Sequence, residues 1–472
     1  MKRLGWLLLA SWWACAEEEP GIPPPSGQLY FPLGLAVADP SGNRPLVLIG
    51  SSNFDQRYNS GFVTVFGLAE LAALAPSNNS GEVTYTEDFG AAFVSQTRVL
   101  QLSGPLLHVP ATASGLPEDR VYLAARAANR VQALRLLGDG TLDCSRDGDA
   151  RVSPTDCTEG SVLPTGFDDP FSLAYVPGLG PNGSVAVSHL GAVVDGNNQV
   201  LSALANVDVA RWEQHIAGPA LSRTDPGFAL VLKEHLSGGF SGLGFVPGGF
   251  GGQTPALLAT NIEGANGLAI ASIKAENVSE SDGRSQLVSF NRLNLDAAAS
   301  AEELRGLAID GNQRAYVSVR FAESTTTYNS GIAVIDLRGE RPTLVSVVEV
   351  GNELAQPVLY ARGAARWLYV PDLRDDRIWV LDVRGDTPTV VAEIKGRAER
   401  TLNGETFQAR ILAGPSDLVF ALVDSRILLL VNNFANSTLA VIDATSVDPR
   451  EHRVIARLGR DLDGAGKTEG QQ

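Results

Sequence analysis

The chain has few of the residues that build metal and nucleophile sites: its 472 residues include three Cys, five His and one Met. No two histidines are spaced as a helical or hairpin metal pair, and no HExxH motif occurs. The Gly-rich run 238–252 lacks the GxGxxG spacing and the Lys-Ser/Thr of a phosphate-binding loop, and its Ser241 is not in a Gly-x-Ser-x-Gly motif. The sequence therefore predicts no metal ligand, no cofactor and no catalytic residue.

Charge is also scarce, at 19% of the chain, and basic residues are the minority, with 37 Lys and Arg against 53 Asp and Glu. The net charge of −16 repels phosphate backbones, so we expect no nucleic-acid partner. The same charge disfavours adsorption to anionic lipid. Membrane association would therefore need a covalent or apolar anchor.

Long apolar runs are absent as well, and the 11-residue stretch Leu4–Ala14 is too short to span a bilayer. It follows Lys2 and Arg3 and ends at Ala14-Cys15. A short apolar region closed by a small residue and a Cys resembles a bacterial lipoprotein signal, which implies that Cys15 becomes the lipidated first residue of the mature protein. The alternative is secretory cleavage after Ala16, because Ala14-Cys15-Ala16 is also an A-x-A site. Both predict export, either to a bacterial outer membrane or cell surface as a lipoprotein, or as a secreted or periplasmic protein.

Two cysteines remain if Cys15 carries lipid, and they are 13 residues apart in a polar segment. Two Cys without a nearby His make a poor zinc site, so we predict a Cys144–Cys157 disulfide around an exposed loop. Asp143 to Asp149 lacks the ligand spacing and closing Glu of an EF-hand. Calcium at this loop stays open as an alternative to simple solvation.

What the chain does have is a repeated strand. Three late copies are nearly identical, at residues 331–336, 377–382 and 438–443, and four looser copies precede them. Each unit offers up to four short apolar runs separated by Gly, Pro and Asp turns. We predict an all-β fold, a monomeric seven-bladed β-propeller of four-stranded antiparallel blades over residues 30–460. Two stacked β domains are the runner-up.

The remaining segments are short. Residues 1–15 are predicted to be a signal peptide, the acidic, Pro-rich residues 16–29 a tether, and residues 461–472 a disordered tail. Within the repeats, Trp367-Leu-Tyr-Val370 pairs with Val380-Leu-Asp382, and Ala315-Tyr-Val317 with Val334-Ile-Asp336. These pairs resemble the YVTN and surface-layer propeller family. The resemblance implies the fold and an extracytoplasmic setting, but no ligand. The terminal Asp of each third strand is expected to cap a turn.

The loops between second and third strands are the predicted binding face, because they gather at one mouth of a propeller. The candidate residues are Asn53, Asp55, Arg57, His189, Asn261, Glu263, Arg320, Glu323, Asp372, Arg374, Asp375, Asn432 and Asn433. They form either a mixed-charge funnel for a protein or small-molecule ligand, or simply the turns. The leading hypothesis is a lipid-anchored binding or scaffolding module of the cell envelope. The alternatives are a lactonase-like hydrolase with its active site at this mouth, and a structural partner of outer-membrane machinery.

Overall fold

A computed structural model of the chain shows most of the predicted propeller. The described residues are 22–53, 58–76, 82–101, 103–144, 156–158, 162–164, 168–178, 182–191, 193–194, 200–201, 204–209, 213, 239–247, 256–261, 268–274, 286–293, 301–321, 328–339, 342–402 and 405–461. The predicted signal peptide with Cys15 and the tail beyond residue 461 lie outside them. Within this described part, no helix has the length and apolar character needed to cross a membrane.

In the first half of the chain, the described strands form three larger antiparallel sheets and one small hairpin. Sheet 1 consists of β1 (Pro32–Ala38), β2 (Leu46–Ser51), β3 (Gly61–Gly67) and β5 (Phe93–Val99), with the helix α1 (Leu68–Ala73), the strand β4 (Thr84–Thr86) and a 3-10 turn (Gly90–Ala92) between β3 and β5. Sheet 2 consists of β6 (Ser103–Val109), β7 (Asp119–Ala125), β8 (Arg130–Leu136), β9 (Leu142–Asp143) and β10 (Val162–Pro164), with α2 (Ala111–Ser114) and a 3-10 turn (Arg126–Ala128). Sheet 3 consists of β11 (Pro170–Val176), β12 (Ser184–His189) and β15 (Leu204–Asp208), next to a small hairpin of β13 (Val193–Val194) and β14 (Val200–Leu201).

The second half continues the pattern. Sheet 4 consists of β16 (Phe240–Val246), β17 (Ala256–Asn261), β18 (Leu268–Lys274) and β19 (Gln286–Leu293). Sheet 5 consists of β20 (Ala301–Ile309), β21 (Arg314–Phe321), β22 (Ser330–Asp336) and β23 (Thr343–Glu349). Sheet 6 consists of β24 (Val358–Arg362), β25 (Ala365–Asp372), β26 (Arg377–Asp382) and β27 (Thr389–Lys395), followed by a hairpin of β28 (Arg397–Leu402) and β29 (Glu405–Arg410). Sheet 7 consists of β30 (Pro415–Val423), β31 (Arg426–Asn433), β32 (Thr438–Asp443) and β33 (Arg453–Leu458), with a 3-10 turn (Pro449–Glu451). Its fifth strand is β4, which lies between β3 and β5 in the chain and pairs in parallel with β33.

The first strands of the sheets contact one another in chain order, from β1 through β6, β11, β16, β20 and β24 to β30. The strand β30 also contacts β1, so the first strands form a closed ring. Sheets arranged radially around a ring of inner strands are a β-propeller, and the predicted fold class is confirmed. The count of seven blades stays a prediction, because chain segments outside the described residues lie between several sheets.

Apolar cores lie between neighbouring sheets, which explains why the second strands carry few polar residues. Every residue of β2 is buried, because both of its faces pack against another sheet. Tyr122, Tyr316 and Tyr369 occupy the same place in three second strands and are fully buried. The outer strand β23, by contrast, has exposed residues at both ends and in its middle. The apolar runs of the repeat are therefore the packing surfaces of the blades.

The acidic residue that ends a repeated strand caps the turn that follows, as predicted. Asp336, Asp382 and Asp443 each accept a hydrogen bond from the backbone N–H two residues further on, at 2.9, 3.0 and 3.0 Å. Such Asx turns satisfy a backbone donor that the sheet leaves unpaired. The arginine after Asp336, Arg338, lowers the pKa of that carboxyl to about 2 by hydrogen bonding.

Residues 22–29, the described part of the predicted tether, pack against the blades. Leu29 is buried in the core between sheets 1 and 7, with 1% of its surface exposed. Gly27 N donates to Gln96 Oε1 at 2.8 Å, and Gln96 Nε2 donates to the Pro25 carbonyl. The described part of the predicted tether, residues 22–29, therefore lies against β5. Proline-rich composition gave no sign of the apolar contact that Leu29 makes.

Candidate functional site

The loops between second and third strands lie at one end of the sheets, which we call the upper face, and the Asx turns lie at the lower face. Outside the described residues are four of the predicted face residues, Asp55, Arg57, Glu263 and Glu323, while Asn261 is described only as the last residue of β17. Five predicted residues are buried, namely Asn53, His189, Asp372, Asn432 and Asn433. Arg320 and Arg374 are exposed, and Asp375 is half-buried. The structure therefore divides the predicted face into a buried foundation and a few exposed side chains.

Buried asparagines fasten the upper loops from below. Asn53 has a left-handed backbone, with a φ of 51°, and its side chain bonds both the N–H and the carbonyl of Tyr58 at 3.0 and 2.6 Å. Asn433 donates to the Ile411 carbonyl and accepts from Ala413 N–H, at 3.0 and 3.2 Å. Both residues replace a missing backbone partner in a loop. The turn-forming interpretation of these two residues is the one that their contacts support.

Asp372, at the end of β25, organises the upper loops of sheets 5 and 6. Its buried carboxylate accepts hydrogen bonds from the backbone N–H groups of Asn352, Glu353 and Asp375, at 2.9, 3.2 and 3.2 Å, and from the Trp379 indole at 3.2 Å. Asn352 in turn donates to Asp375 Oδ2 at 2.6 Å. Four donors around one carboxylate compensate for its burial and fix the two loops in a single arrangement.

Beside this hub lies a charged cluster that sequence reasoning found only in part. Glu303 and Arg305 come from β20, Arg320 from the end of β21, and Glu353 from the loop before β24. Arg305 binds Glu303 at 3.0 Å and Glu353 at 2.8 Å, and Arg320 contacts Glu303 at 3.4 Å. Burial lowers the pKa of the Arg305 guanidinium, but hydrogen bonds to Glu303 and Glu353, together with their negative charges, leave that pKa above its usual value.

A shallow surface depression lies at this cluster. It is lined by Arg305, Ser318, Val319, Arg320, Ser330, Glu353 and Leu354. The depression has no room for a water molecule below its rim, so it encloses no ligand-sized space in this conformation.

The hairpin of β28 and β29 is an element that sequence reasoning missed. Asp376, with a φ of 53°, accepts hydrogen bonds from Arg410 Nη2 at 2.6 Å and from the Gly414 N–H at 2.9 Å. This carboxylate thus ties the end of the hairpin to the upper loop of sheet 6. The signal was available in the sequence, because Asn403-Gly404 between two β-prone runs is a strong hairpin pattern.

An aromatic group occupies the upper face where sheets 1 and 7 meet. Phe31 has a φ of 45°, which is unusual for a bulky residue, and its ring lies 5.1 Å from that of Phe434. Its N–H donates to Ser437 Oγ at 3.1 Å, and its carbonyl accepts from Ser52 N at 3.1 Å. Contacts to both sheets hold this strained residue in place.

No three His, Cys, Asp or Glu side chains in the described ranges come together as a group that could hold a metal ion. Cys144 and Cys157 form a disulfide, with their Cα atoms 5.8 Å apart. The Asp-rich residues 145–149 beside it lie outside the described residues.

Comparison with known proteins supports the fold and nothing finer. No family model matches the chain, and no curated protein matches it. A Bacteroides fragilis structure assigned as a 6-phosphogluconolactonase is 14% identical, with 88% of this chain and 97% of that chain aligned and a TM-score of 0.50. A periplasmic gluconolactonase of Pseudomonas aeruginosa is 15% identical over 83% and 88% of the two chains, with a TM-score of 0.47. The WD40 domain of Toxoplasma gondii coronin is 12% identical over 88% and 80%, with a TM-score of 0.45. At 14% identity, the likeness to the Bacteroides fragilis structure shows a shared fold alone, and the resemblance to the YVTN family stays a prediction.

Proposed function

We propose that the protein is an exported binding or scaffolding module of a bacterial cell envelope, held at a membrane by lipid on Cys15, and that its upper face binds a protein partner. The observation that carries the binding proposal is the set of buried carboxylates beneath that face. Asp372 and Asp376 fix the loops of sheet 6 before any partner arrives. A face that is already ordered loses little conformational freedom on association.

The exposed chemistry of this face suits a protein better than a small molecule. The depression at Arg305 is small, and the accessible groups around it are arginines and glutamates. Arg320 keeps 48% of its side chain exposed and Glu353 keeps 40%. Arginine is enriched at the centres of protein interfaces, where its planar donors bind carboxylates and backbone carbonyls.

A charge-reversal pair tests the binding face. The variant Arg320→Glu/Arg374→Glu and the control Arg338→Glu/Arg384→Glu change the net charge equally, but the control lies on the lower face. Each protein is crosslinked in its native envelope, and the captured partners are quantified by mass spectrometry. We expect a stoichiometric protein partner with the wild type and the control, and at least a tenfold loss with the upper-face variant. Equal capture by both variants, at unchanged melting temperature, would refute the assignment to the upper face.

The anchor is tested separately. Cys15→Ser should abolish acyl labelling and move the protein from the membrane fraction to the soluble extracytoplasmic fraction. Labelling and membrane retention that persist in the variant would refute lipidation at Cys15. If the wild type takes up no acyl label and its mature form begins after Ala16, the result would instead favour the secretory alternative.

The alternative hypothesis is a lactonase-like hydrolase with its site at the same mouth. The assignment of the Bacteroides fragilis neighbour is the observation in its favour, and a shared fold does not carry an activity with it. Under the binding proposal, purified protein leaves gluconolactone and 6-phosphogluconolactone at their spontaneous hydrolysis rates. If the protein accelerates hydrolysis and Glu303→Gln or Glu353→Gln abolishes this activity, the hydrolase hypothesis would replace the binding proposal.

A further inference from the structure

The point where the N-terminal segment meets the propeller is a defined place on the upper face. The carbonyl of Ile22 accepts a hydrogen bond from Asn59 N–H at 3.0 Å, and Asn59 belongs to the upper loop of sheet 1. Residues 25 and 27 then bond Gln96 of the outermost strand β5, and Leu29 enters the core. The chain therefore reaches the blade at its upper outer rim and runs inward from there.

Arg98 joins this rim to the disulfide segment. Its guanidinium donates to Asn59 Oδ1 at 3.0 Å, to Ser60 Oγ at 3.1 Å and to Asp156 Oδ2 at 2.6 Å. Its carbonyl accepts from Cys157 N–H at 2.8 Å, and Arg98 forms a parallel bridge with Asp156. The disulfide fastens Cys157 to Cys144, next to β9 of sheet 2. These contacts and the disulfide thus connect the rim at Ile22 to both sheet 1 and sheet 2.

Little chain separates this rim from Cys15. Only residues 16–21 lie between Cys15 and Ile22, so the two Cα atoms can be at most about 25 Å apart even with the chain fully extended. A seven-residue strand such as β5 is itself about 23 Å long. If the lower face were turned to a membrane that holds Cys15, the linker would have to run the height of the blade at nearly full extension. Full extension removes conformational freedom from every linker residue and is therefore disfavoured.

One property of the rim agrees with a place near lipid. Ile22 is among the few large apolar side chains that the described residues expose, with 66% of its surface accessible.

We propose that the upper outer rim of sheet 1, formed by Ile22, Asn59, Arg98 and Asp156, is the membrane-proximal edge of the protein, so that the upper face is presented to the bilayer surface. This inference rests on the proposed lipid anchor at Cys15. It also narrows the partner of the upper face to a protein that lies in or on the same membrane.

Energy transfer to a lipid dye tests the orientation. The full-length lipidated protein, with its disulfide oxidised, is placed in phosphatidylcholine vesicles that carry a headgroup acceptor. A donor is attached at Ser26→Cys, beside Gln96 on the outer side of β5, or at Asn43→Cys, in the exposed lower loop of the same sheet. We expect the donor at residue 26 to be quenched at least twofold more than the donor at residue 43. Equal quenching, or stronger quenching at residue 43, would overturn the proposed orientation.

Inserting 15 Gly and Ser residues after Glu18 serves as the matched control. The longer linker should leave the membrane-bound fraction unchanged and abolish the difference between the two donors. A difference that survives the insertion would show that the linker does not set the orientation, which contradicts the proposal. Protein found entirely in the soluble fraction would refute the anchor and the orientation together, whereas bound protein with equal signals would refute the orientation alone.

Discussion

The Asp417 carboxylate accepts a hydrogen bond from the backbone N–H of Leu35 at 2.8 Å, across 382 positions of the sequence. The neighbouring Asn432 donates to the Gly34 carbonyl at 3.1 Å. Two side chains of sheet 7 thus bind the two ends of one peptide group in the first strand of sheet 1. This contact, together with the pairing of β4 and β33, joins the last sheet to the first.

The protonation of Asp417 should make stability depend on pH. Burial raises the pKa of this carboxyl to about 7, although N–H groups of Leu418 and Leu35 favour its charged form. An unfolded Asp has a pKa of about 3.9, so the folded state binds the proton more tightly. The stabilisation is complete below about pH 4 and is lost as the pH rises towards 7. Because some solvent reaches the side chain, we expect the free energy of unfolding to fall by about 1–3 kcal/mol.

Asp417→Asn removes this titration while keeping an oxygen that can accept from Leu35. As the pH rises from 5 to 8, the free energy of unfolding should therefore increase in the variant relative to the wild type, as measured by urea denaturation. The charged residues on strands packed against β30 are Arg426, Arg362 and Arg366, which lie at the lower ends of their strands, and Asp372, which lies at the upper end of β25. Glu70 of α1 is likewise near the lower face, beside Arg44. The exposed Asp424→Asn is the control, and parallel pH profiles for wild type and Asp417→Asn would contradict the prediction.

Gly34 should not tolerate a side chain. A Cβ at this position would lie 2.7 Å from the backbone nitrogen of Leu106 and 2.6 Å from its Cγ, because the first strands of sheets 1 and 2 touch there. We expect Gly34→Ala to lower the free energy of unfolding by about 1–3 kcal/mol, as overpacking does in other cores. Gly311→Ala has open space around its Cβ and should leave the denaturation midpoint within error. Equal denaturation midpoints for the two variants would show that β1 and β6 can move apart to admit a methyl group without loss of stability.

The fold was predictable because blade strands repeat a local pattern. Apolar runs such as β2 and β31 are buried on both faces, so their composition alone indicates a stacked sheet. The upper loops were predictable only as a location. Asp372 is a loop organiser because Asn352 and Glu353 point their N–H groups at it, and those residues belong to another loop. Such a convergence is set by tertiary structure and leaves no spacing in the sequence.

The residue that Arg320 contacts could not be predicted from the sequence either. Arg320 was a candidate from its position after a second strand, but its contact Glu303 lies in β20, in another part of the chain. Residues 296–304 have high helix propensity, and strand pairing overrides it from residue 301 onwards. Local propensity is a weak guide wherever a neighbouring strand offers a full set of hydrogen bonds.

The disulfide should stabilise the rim at Arg98. The disulfide closes a loop between two cysteines that are 13 residues apart. Replacing both Cys144 and Cys157 by Ala opens this loop and should lower the free energy of unfolding by about 3 kcal/mol in the chain-entropy model. The loss is measured by denaturation of the oxidised proteins. Reduction should bring the wild type down to the stability of the variant and should leave the variant unchanged. A variant as stable as the oxidised wild type would show that the contacts of Arg98 hold this segment by themselves.

Asp376 should control the order of the hairpin formed by β28 and β29. Asp376→Ala removes the carboxylate that binds Arg410 and the Gly414 N–H, and it places Ala at a φ of 53°, which favours Asn, Asp or Gly. We expect a loss of about 2–4 kcal/mol of global stability and faster amide hydrogen exchange in residues 397–410.

Two variants serve as controls. Asn tolerates the backbone conformation at position 376 and can still accept a hydrogen bond from the Gly414 N–H, so the loss of stability in Asp376→Asn should be smaller by at least half. Because Asp336 lies in a lower-face turn of sheet 5 and pairs with the exposed Arg338, Asp336→Asn should leave hairpin exchange unchanged. Fast exchange confined to the Ala variant would assign the hairpin's order to this carboxylate, whereas unchanged exchange in that variant would mean that Ala398 and Ala409 hold the hairpin through their packing alone.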